Sequence, residues 1–441
     1  MIGFSAERKD IYNFIVFENY INLKAVRQVN AEVPSKSEVT LNAFVRIRDK
    51  NFLVYSQYTK SSKQTTVYVN EMSSSNVLLG TPIKVLTVDK EKNKIYGDVR
   101  VNASKNKKSI LIYQATEGNG KDPRKMTCSV VDENFSVVWQ NDFDFKMPEK
   151  EADLKSVDID DDGNLYALLY KGKEKYQKAS VFSYNWKIKN FAETVVGNPA
   201  EKAKTYGCLL EVVDGISPVV AGVSLADDDL SYFVVSFDAV KNTSRELQSA
   251  KFAEKDKALL VTKKYPEEGL AVQHILKTAN NNFVVSFEVN HVITLYKQTS
   301  SSSDFYSGSV FVVSVGANGV AWSNVVYKRQ TVPVNPFTTS HSLIISGDNV
   351  LIFYNDKESN LAERADESDG KVYRGSSSAL VLRKINSKGE MTSQKIETGQ
   401  PDNFGINPRY FVKISDTLYH TQLFATTFSK FACAYATIEL N

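Results

Sequence analysis

Residues that build metal sites and disulfide frameworks are scarce in this chain. Its 441 residues include only three cysteines, four histidines, five methionines and three tryptophans. Cys128, Cys208 and Cys433 are too few and too scattered for a disulfide framework or a zinc site, and we expect small buried hydrophobic residues there. The histidines show no H-x-x-x-H spacing, so the sequence predicts no metal and no cofactor.

One acidic segment imitates a calcium loop. Asp158–Gly163 has the aspartates and the glycine of an EF-hand loop start, but position 12 of that loop is Leu169, where calcium needs a bidentate glutamate. The segment therefore predicts an acidic turn and no calcium site.

An excess of one charge and a long apolar run are also missing. Lys and Arg number 54 against 51 Asp and Glu, a net charge of +3, with both signs interspersed, which argues against nucleic acid as a partner. No run of 18 apolar residues occurs, so no membrane-spanning helix is predicted. Met1–Glu7 lacks the basic and apolar regions of an export signal, which fits either a cytoplasmic protein or one whose signal was removed.

Catalytic motifs are absent as well. The chain has no G-x-S-x-G elbow, no glycine-rich phosphate loop and no H-E-x-x-H, and no pair of glycosidase carboxylates can be identified. The segment Ser314–Trp322 resembles the sialidase turn S-x-D-x-G-x-x-W but lacks its aspartate. We therefore predict no catalytic residue and no enzyme activity.

What the chain does contain is a repeated hairpin. An alternating apolar segment, a short turn rich in Asn, Asp, Gly or Lys, and a second apolar segment recur every 50 to 70 residues. The seven copies are Ala43–Tyr58, Asp98–Tyr113, Ser156–Tyr170, Leu209–Val223, Val272–Val289, Ser342–Tyr354 and Phe411–Phe424. Their predicted turns are Lys50-Asn51, Asn106-Lys107, Asp162-Gly163, Asp214-Gly215, Asn281-Asn282, Gly347-Asp348 and Ser415-Asp416.

A second kind of hairpin lies between these copies. Ser129–Trp139, Val181–Lys187, Val313–Trp322 and Leu382–Glu390 show it, with type I′-like turns predicted at Asn318-Gly319 and Lys388-Gly389. Two hairpins in succession make one four-stranded antiparallel blade.

The pattern predicts an all-β fold: a single seven-bladed β-propeller over residues 1–441. After the seventh hairpin only one strand's length of sequence remains, so an N-terminal strand at about residues 11–30 is predicted to complete the last blade and close the ring. Residues 251–269 are rich in Lys, Glu, Ala and Leu, and predict a short helical insertion that Pro266 stops.

Two segments carry a family resemblance. Ser309–Asp356, with its hairpin ending at Trp322, and Val157–Tyr166, which matches the hairpin motif D-x-D-G-N-x-Y, resemble a family of exported, WD-repeat-like propellers of Gram-negative bacteria with elaborate outer-membrane systems. The resemblance covers about residues 100–440. It implies an exported, periplasmic or surface-associated protein that binds or scaffolds others, and it supplies no catalytic residues.

Polar residues at comparable positions of the first hairpins predict the site for a small ligand, because first strands line a propeller channel. His274 and His341 begin two such hairpins and are expected to approach each other. The other predicted channel residues are Arg46, Arg100, Glu211 and Lys277.

The favoured function is a non-catalytic scaffold, an accessory subunit of an exported or outer-membrane complex with a protein partner. The predicted contact segments are Ser300–Tyr306, Gln330–Thr339 and Leu361–Arg374, with Phe305, Tyr306, Phe337 and Tyr373 as anchors. A glycan- or small-ligand-binding protein that uses the channel mouth is the second alternative. A glycosidase-type hydrolase is the third and the weakest.

Overall fold

The computed structural model forms two compact units. Unit 1 contains Met1–Val196, Leu210–Pro218 and Phe237–Ser244, and unit 2 contains Gly197–Leu209, Val219–Ser236 and Arg245–Asn441. The structure describes residues 2–8, 11–17, 26–32, 38–47, 50–73, 78–91, 94–118, 120–227, 229–238, 243–262, 266–297, 300–333, 336–357, 360, 372–374, 378–396, 404–415, 417–427 and 430–439.

Four antiparallel sheets belong to unit 1. Sheet 1 comprises Ile2–Arg8 (β1), Ile11–Phe17 (β2) and Val26–Glu32 (β3). Sheet 2 comprises Glu38–Ile47 (β4), Lys50–Thr59 (β5), Gln64–Met72 (β6) and Leu78–Asp89 (β7). Sheet 3 comprises Arg100–Ala103 (β8), Ser109–Ala115 (β9), Pro123–Asp132 (β10) and Val137–Pro148 (β11). Sheet 4 comprises Ala152–Ile159 (β12), Leu165–Lys171 (β13), Lys178–Asn185 (β14) and Asn190–Val196 (β15).

Sheet 5 has residues in both units. It comprises Lys204–Val213 (β16), Ser217–Ala226 (β17), Asp229–Asp238 (β18) and Thr243–Lys251 (β19).

Three more sheets belong to unit 2. Sheet 6 comprises Leu270–Lys277 (β20), Phe283–Lys297 (β21), Ser300–Gly316 (β22), Gly319–Val326 (β23) and Gln330–Pro333 (β24), the last paired with β22. Sheet 7 comprises Ser342–Ser346 (β25), Asn349–Lys357 (β26), Ser378–Ile385 (β27) and Met391–Ile396 (β28). Sheet 8 comprises Phe404–Lys413 (β29), Leu418–Thr427 (β30) and Lys430–Glu439 (β31).

Helical structure is short. One α-helix, Glu254–Leu260 (α1), lies within the segment predicted as a helical insertion, and it ends six residues before Pro266. The 3₁₀ turns are Glu149–Glu151, Glu174–Tyr176, Glu267–Gly269 and Pro336–Thr338. No helix in the described part of the chain is long and apolar enough to cross a membrane.

Strand alternation gives the sheets two apolar faces. In β9 of unit 1, Ile110 and Ile112 pack with sheet 2, whereas Leu111 and Tyr113 pack with sheet 4. In β26 of unit 2, Val350 and Ile352 pack with sheet 6, while Leu351 and Phe353 pack with sheet 8. Sheets 3 and 7 are therefore covered on both faces, and burying one such side chain contributes about 1.5–3 kcal/mol.

The predicted all-β class and the predicted strand pairing are confirmed. All seven first hairpins are present, as β4–β5, β8–β9, β12–β13, β16–β17, β20–β21, β25–β26 and β29–β30. The four second hairpins are present as β10–β11, β14–β15, β22–β23 and β27–β28. Asp214 and Gly215, in the three-residue turn between β16 and β17, have φ of 54° and 83°, in the left-handed region that such turn residues adopt.

Three details of the turns and strands differ from expectation. Ile47 pairs with Lys50 and Arg46 with Asn51, so Lys50 and Asn51 are strand residues and not turn residues. At Asn318-Gly319 and Lys388-Gly389 only the glycines have positive φ, whereas a type I′ turn needs it at both central residues. The predicted closing strand, residues 11–30, is not part of sheet 8, because β2 pairs with β1 on one edge and with β3 on the other.

The ring closure is thus not observed among the described strands, and sheet 8 has three strands where four were predicted. The assignment of residues 1–441 to one domain stays a prediction. Asp416, in the seventh predicted turn, and most of Leu361–Arg374 lie outside the described residues.

Candidate functional site

The six predicted channel residues fall into both units, so each unit is described by itself. Unit 1 holds Arg46, Arg100 and Glu211, and unit 2 holds His274, Lys277 and His341. Arg46 is an exposed residue of β4, and Glu211 on β16 forms an ion pair of 2.5 Å with Lys105. Lys277, at the end of β20, has its ammonium 5.9 Å from the centre of the Phe283 ring.

His274 and His341 are neighbours in unit 2. Their ring centres are 5.0 Å apart in an edge-on arrangement, and His274 Nε2 lies 3.3 Å from the backbone oxygen of His341. Burial, followed by the nearby His341, lowers the pKa of His274 to about 4. At neutral pH His274 is therefore an uncharged imidazole.

His341 leads into a fully buried network centred on Glu288. One Glu288 oxygen accepts from Lys328 Nζ and from Ser307 Oγ at 2.7 Å, and the other accepts from Ser340 Oγ at 2.5 Å. His341 Nδ1 lies 3.4 Å from the second oxygen. Glu288, Lys328 and Ser307 are 0% exposed, so these charges are removed from water and depend on one another.

The pKa values of the pair reflect this environment. Burial alone would raise the pKa of Glu288, but the Lys328 ammonium and His341 hold it well below its usual range. Burial lowers the pKa of Lys328, and Glu288 opposes that shift. The ionised pair is stabilised by the surrounding donors and acceptors, which include Gln330 Oε1 at 3.1 Å from Lys328 Nζ.

In their spatial order, the side chains of Ser286, His341 and Glu288 resemble a catalytic triad. Ser286 Oγ lies 3.0 Å from His341 Nε2, and Glu288 lies on the other side of the ring. Ser286 is 0% exposed and Glu288 is already bound by Lys328, so no substrate reaches the hydroxyl in this structure. Of the two contacts, only that between Ser286 and His341 is a hydrogen bond.

The network lies at the base of the longest hairpin. β21 and β22 run beyond β20 and β23, pairing from Asn290 with Ser307 to Lys297 with Ser300. Asn290 Nδ2 donates to Glu288 at 3.0 Å, and Ser307 joins Glu288 to Lys328. The Glu288 network thus anchors the projecting part of this hairpin, residues 290–307, called the long hairpin below.

The predicted partner anchors differ in accessibility. Phe305 and Tyr306 lie half-buried on the long hairpin, where Phe305 pairs with Val292 on one side and with Val332 of β24 on the other. Phe337 is 43% exposed and stacks on Phe424, with ring centres 4.9 Å apart. Tyr373 is fully buried, and its backbone forms a parallel bridge with Gln330 of β24 through hydrogen bonds to Arg329 and Thr331. Its side chain is therefore not exposed as a surface anchor in this structure.

A polar cleft in unit 1 was not predicted. It has a volume of about 330 Å³ and lies among Asp98, Arg100, Tyr113, Ala115, Glu117, Arg124, Asp153, Leu154, Lys155 and Ser156. Of these, Arg100 was among the residues assigned to a ligand. Arg124, an arginine at the second position of an otherwise apolar-alternating strand, was the sequence signal that could have indicated the cleft.

The acidic turn is structural. Asp160 accepts hydrogen bonds from Asn164 N and Nδ2, both at 2.8 Å, and from the Tyr166 hydroxyl at 3.1 Å. Asp158 accepts from Val212 N at 3.1 Å, and Asp161 accepts from Asn106 N at 2.9 Å. Each carboxylate is thus used by a neighbouring turn or strand.

No group of three or more His, Cys, Asp or Glu residues in the described part of the chain is placed to hold a metal ion. Of the cysteines, Cys128 is buried, and burial raises its thiol pKa well above the usual value, while Cys208 is half-buried. The side chain of Cys433 lies outside the described residues.

Comparisons with known proteins give weak likenesses. No family model matches the chain, and no curated protein matches it. Among solved structures, the polysaccharide lyase Uly1 shares 11% identity over 91% of this chain and 90% of that one, with a TM-score of 0.42. The Nup133 β-propeller domain of Vanderwaltozyma polyspora shares 8% identity over 90% and 100% of the two chains, with a TM-score of 0.40.

A post-proline cleaving enzyme from Rickettsia typhi shares 8% identity over 97% of this chain, with a TM-score of 0.38. The chain spans 56% of the length of that enzyme. Likenesses at this level do not identify the activity of the chain.

Proposed function

We propose that the chain is a seven-bladed β-propeller that acts as a non-catalytic scaffold and binds a protein partner through the long hairpin. Sheets 2 to 8 follow one another in sequence, and each is an antiparallel meander, as in propeller blades. The burial of both faces of sheets 3 and 7 supports this assignment. The partner is proposed to belong to an exported or outer-membrane-associated complex, which the sequence resemblance supports.

The observation that carries the proposal is an unpaired strand edge. β20 pairs with β21 only as far as Val289, and β22 covers the opposite edge of β21. Among the described strands, none therefore pairs with the outer edge of residues 290–297. An exposed edge of this length offers backbone donors and acceptors to an extended peptide, which can add to the sheet as another strand.

The side chains of the hairpin suit the same role. Val292 is 52% exposed and lies in one cross-strand row with Phe305 and Val332. The base of the long hairpin is fixed by the buried Glu288 network, so little conformational entropy is lost when a partner binds. The expected occupant is an extended segment of a partner protein with apolar side chains at alternate positions.

Affinity purification of the tagged full-length protein from its native cells, followed by mass spectrometry, tests the proposal. Val292→Lys places a charge on the apolar row and is expected to remove a stoichiometric partner. Val320→Lys is the matched control, because Val320 is 40% exposed on β23 of the same sheet and lies away from the hairpin. It is expected to retain the partner.

A second variant removes the edge itself. Replacing residues 292–305 by Asn-Gly joins the paired residues His291 and Tyr306 through a two-residue turn and leaves the Glu288 network in place. Loss of the partner with a retained circular dichroism spectrum supports the proposal. A partner that stays bound to both the Val292→Lys and the shortened variant contradicts it.

A further inference from the structure

The unit 1 cleft contains a buried cation that forms no close ion pair among the described residues. Arg124 is only 6% exposed, and its guanidinium donates to the backbone oxygens of Thr116 and Glu149. Its Nε is buried and has no hydrogen-bond partner. Asp153, Glu149 and Glu117 attract the guanidinium at longer range, but among the described residues no carboxylate forms a close ion pair with it. Burying a charge in this state is costly, since carbonyl oxygens compensate a guanidinium only in part.

Only some of the other charged side chains of the cleft form ion pairs with one another. Lys155 pairs with Asp153, which accounts for one cation and one anion. Arg100 contacts the Tyr113 hydroxyl, and within the described part of the chain Asp98 and Glu117 form no ion pair. Two guanidinium groups and two carboxylates therefore line the same space, and among the described residues none of the four forms a close ion pair.

The rim of the cleft is held by a set of backbone hydrogen bonds. Gly97 N donates to Ala115 O and Glu117 N donates to Ile95 O, each at 2.9 Å. The Gln114 side chain also donates to Gly97 O at 2.7 Å. Gly97 leaves room for Glu117, because a Cβ at position 97 would lie 2.1 Å from the Glu117 Oε1 atom. The charged groups are thus presented by a fixed frame, which lowers the entropic cost of binding.

We propose that this cleft binds a small carboxylate that also carries ammonium or hydroxyl groups, either an amino acid or a hydroxy acid such as a sugar acid. The ligand carboxylate accepts from Arg100 and Arg124, whose planar guanidinium groups suit carboxylate geometry. The ammonium or hydroxyl groups donate to Asp98 and Glu117. A volume of about 330 Å³ lies at the lower end for ligand pockets and suits a molecule of this size.

Isothermal titration calorimetry with the full chain tests the site. One panel contains the standard α-amino acids, a second contains lactate, gluconate and glucuronate, and glucose serves as the uncharged comparison. We expect a member of one charged panel to bind and glucose not to bind. Binding of glucose as tight as that of glucuronate, or no heat from either charged panel at millimolar concentration, overturns the proposal.

Three variants connect binding to the cleft. Arg100→Gln is expected to weaken the bound carboxylate about tenfold or more, since a charged hydrogen bond is lost. Lys108→Gln removes one positive charge at the opposite end of the same hairpin and is expected to leave the affinity unchanged. Arg124→Lys keeps the buried charge but loses the guanidinium fork, and a weaker affinity with an unchanged melting temperature separates binding from folding.

Asp98→Asn distinguishes the two kinds of ligand. An ammonium loses its ion pair with this substitution, so an amino acid is expected to bind about tenfold more weakly. A hydroxyl still finds an oxygen acceptor on the amide, so the affinity for a hydroxy acid should change little. Affinity that is the same for the native chain, Arg100→Gln and Arg124→Lys overturns the proposal, and the partner proposed for the long hairpin is not affected by that result.

Discussion

Glu288 keeps its charge in the protein interior because several donors converge on it. Lys328, Ser307, Ser340 and Asn290 all donate to its two oxygens. Such a network stabilises the fold only when all its members are present. If one side chain is removed, its partner stays buried without a hydrogen bond, which costs free energy. Unit 2 is therefore expected to be most sensitive to single substitutions at Glu288 and at the residues that donate to it.

Lys328→Met is expected to destabilise unit 2 by about 3–5 kcal/mol, because it leaves the Glu288 carboxylate buried and uncompensated. Urea denaturation followed by Trp322 fluorescence measures the change. The double variant Glu288→Gln/Lys328→Met is expected to recover part of the loss, since no uncompensated charge then remains. A double variant less stable than Lys328→Met would show that Glu288 contributes favourably without its lysine.

At the scale of the element, each turn is specified by a few local residues. Asp160 is the acceptor for the backbone of Asp162 and Asn164 and for the side chains of Asn164 and Tyr166. Gly163, with φ of 80°, supplies the left-handed position of the same turn. The D-x-D-G-N-x-Y motif is thus the hydrogen-bond set of one hairpin.

Asp160→Ala is expected to lower stability by about 2–3 kcal/mol, because buried donors of Asn164 and Tyr166 lose their acceptor. Asp160→Asn retains an oxygen acceptor and should cost less. Thermal melting of the three proteins, with and without millimolar CaCl₂, measures both effects. A calcium-dependent rise in the melting temperature of the native chain that Asp160→Ala abolishes would show that the turn binds the ion after all.

Hairpins were predictable from the sequence because their causes are local. The apolar run Leu165–Lys171 and the turn residues Asp162-Gly163 lie within ten residues of one another, so the local pattern predicts the pairing. The Glu288 network was not predictable, since Glu288, Lys328 and Ser340 are distant in the sequence and resemble surface residues there. The strand that would close the ring could not be predicted for a related reason, because a strand count shows that an edge needs a partner but does not show which strand supplies it.

At the scale of the whole molecule, the histidines are distributed unevenly. His274, His291, His341 and His420 all belong to unit 2, and unit 1 has no histidine. In unit 1, burial raises the pKa values of Asp158 and Asp160 above their usual range. Their native forms bind protons more readily than the unfolded chain does, so mild acid does not weaken unit 1 through these groups.

His274, unlike Asp158 and Asp160, lowers the stability of the protein in mild acid. Its pKa is about 4 in the folded state, against 6.5 for an unperturbed histidine such as that of the unfolded chain. Between these pH values the unfolded chain therefore takes up a proton that the native chain does not. Stability is therefore lost as the pH falls from about 6.5 towards 4. Between pH 7 and pH 5 the expected loss is about 2 kcal/mol. The pKa of Glu288 lies well below 4.5, so its contribution persists throughout that interval.

The three tryptophans allow each unit to be followed separately. Trp139 and Trp186 are in unit 1, where their indoles donate to Gly163 and Asp162, and Trp322 is in unit 2. In a Trp139→Phe/Trp186→Phe variant, the urea midpoint reported by Trp322 should fall between pH 7 and pH 5, and adding His274→Gln should remove most of that fall. In a Trp322→Phe variant the midpoint should change less. Equal shifts in the two reporter variants would mean that the units unfold as one cooperative body, in which case the histidine would weaken the whole chain and not unit 2 alone.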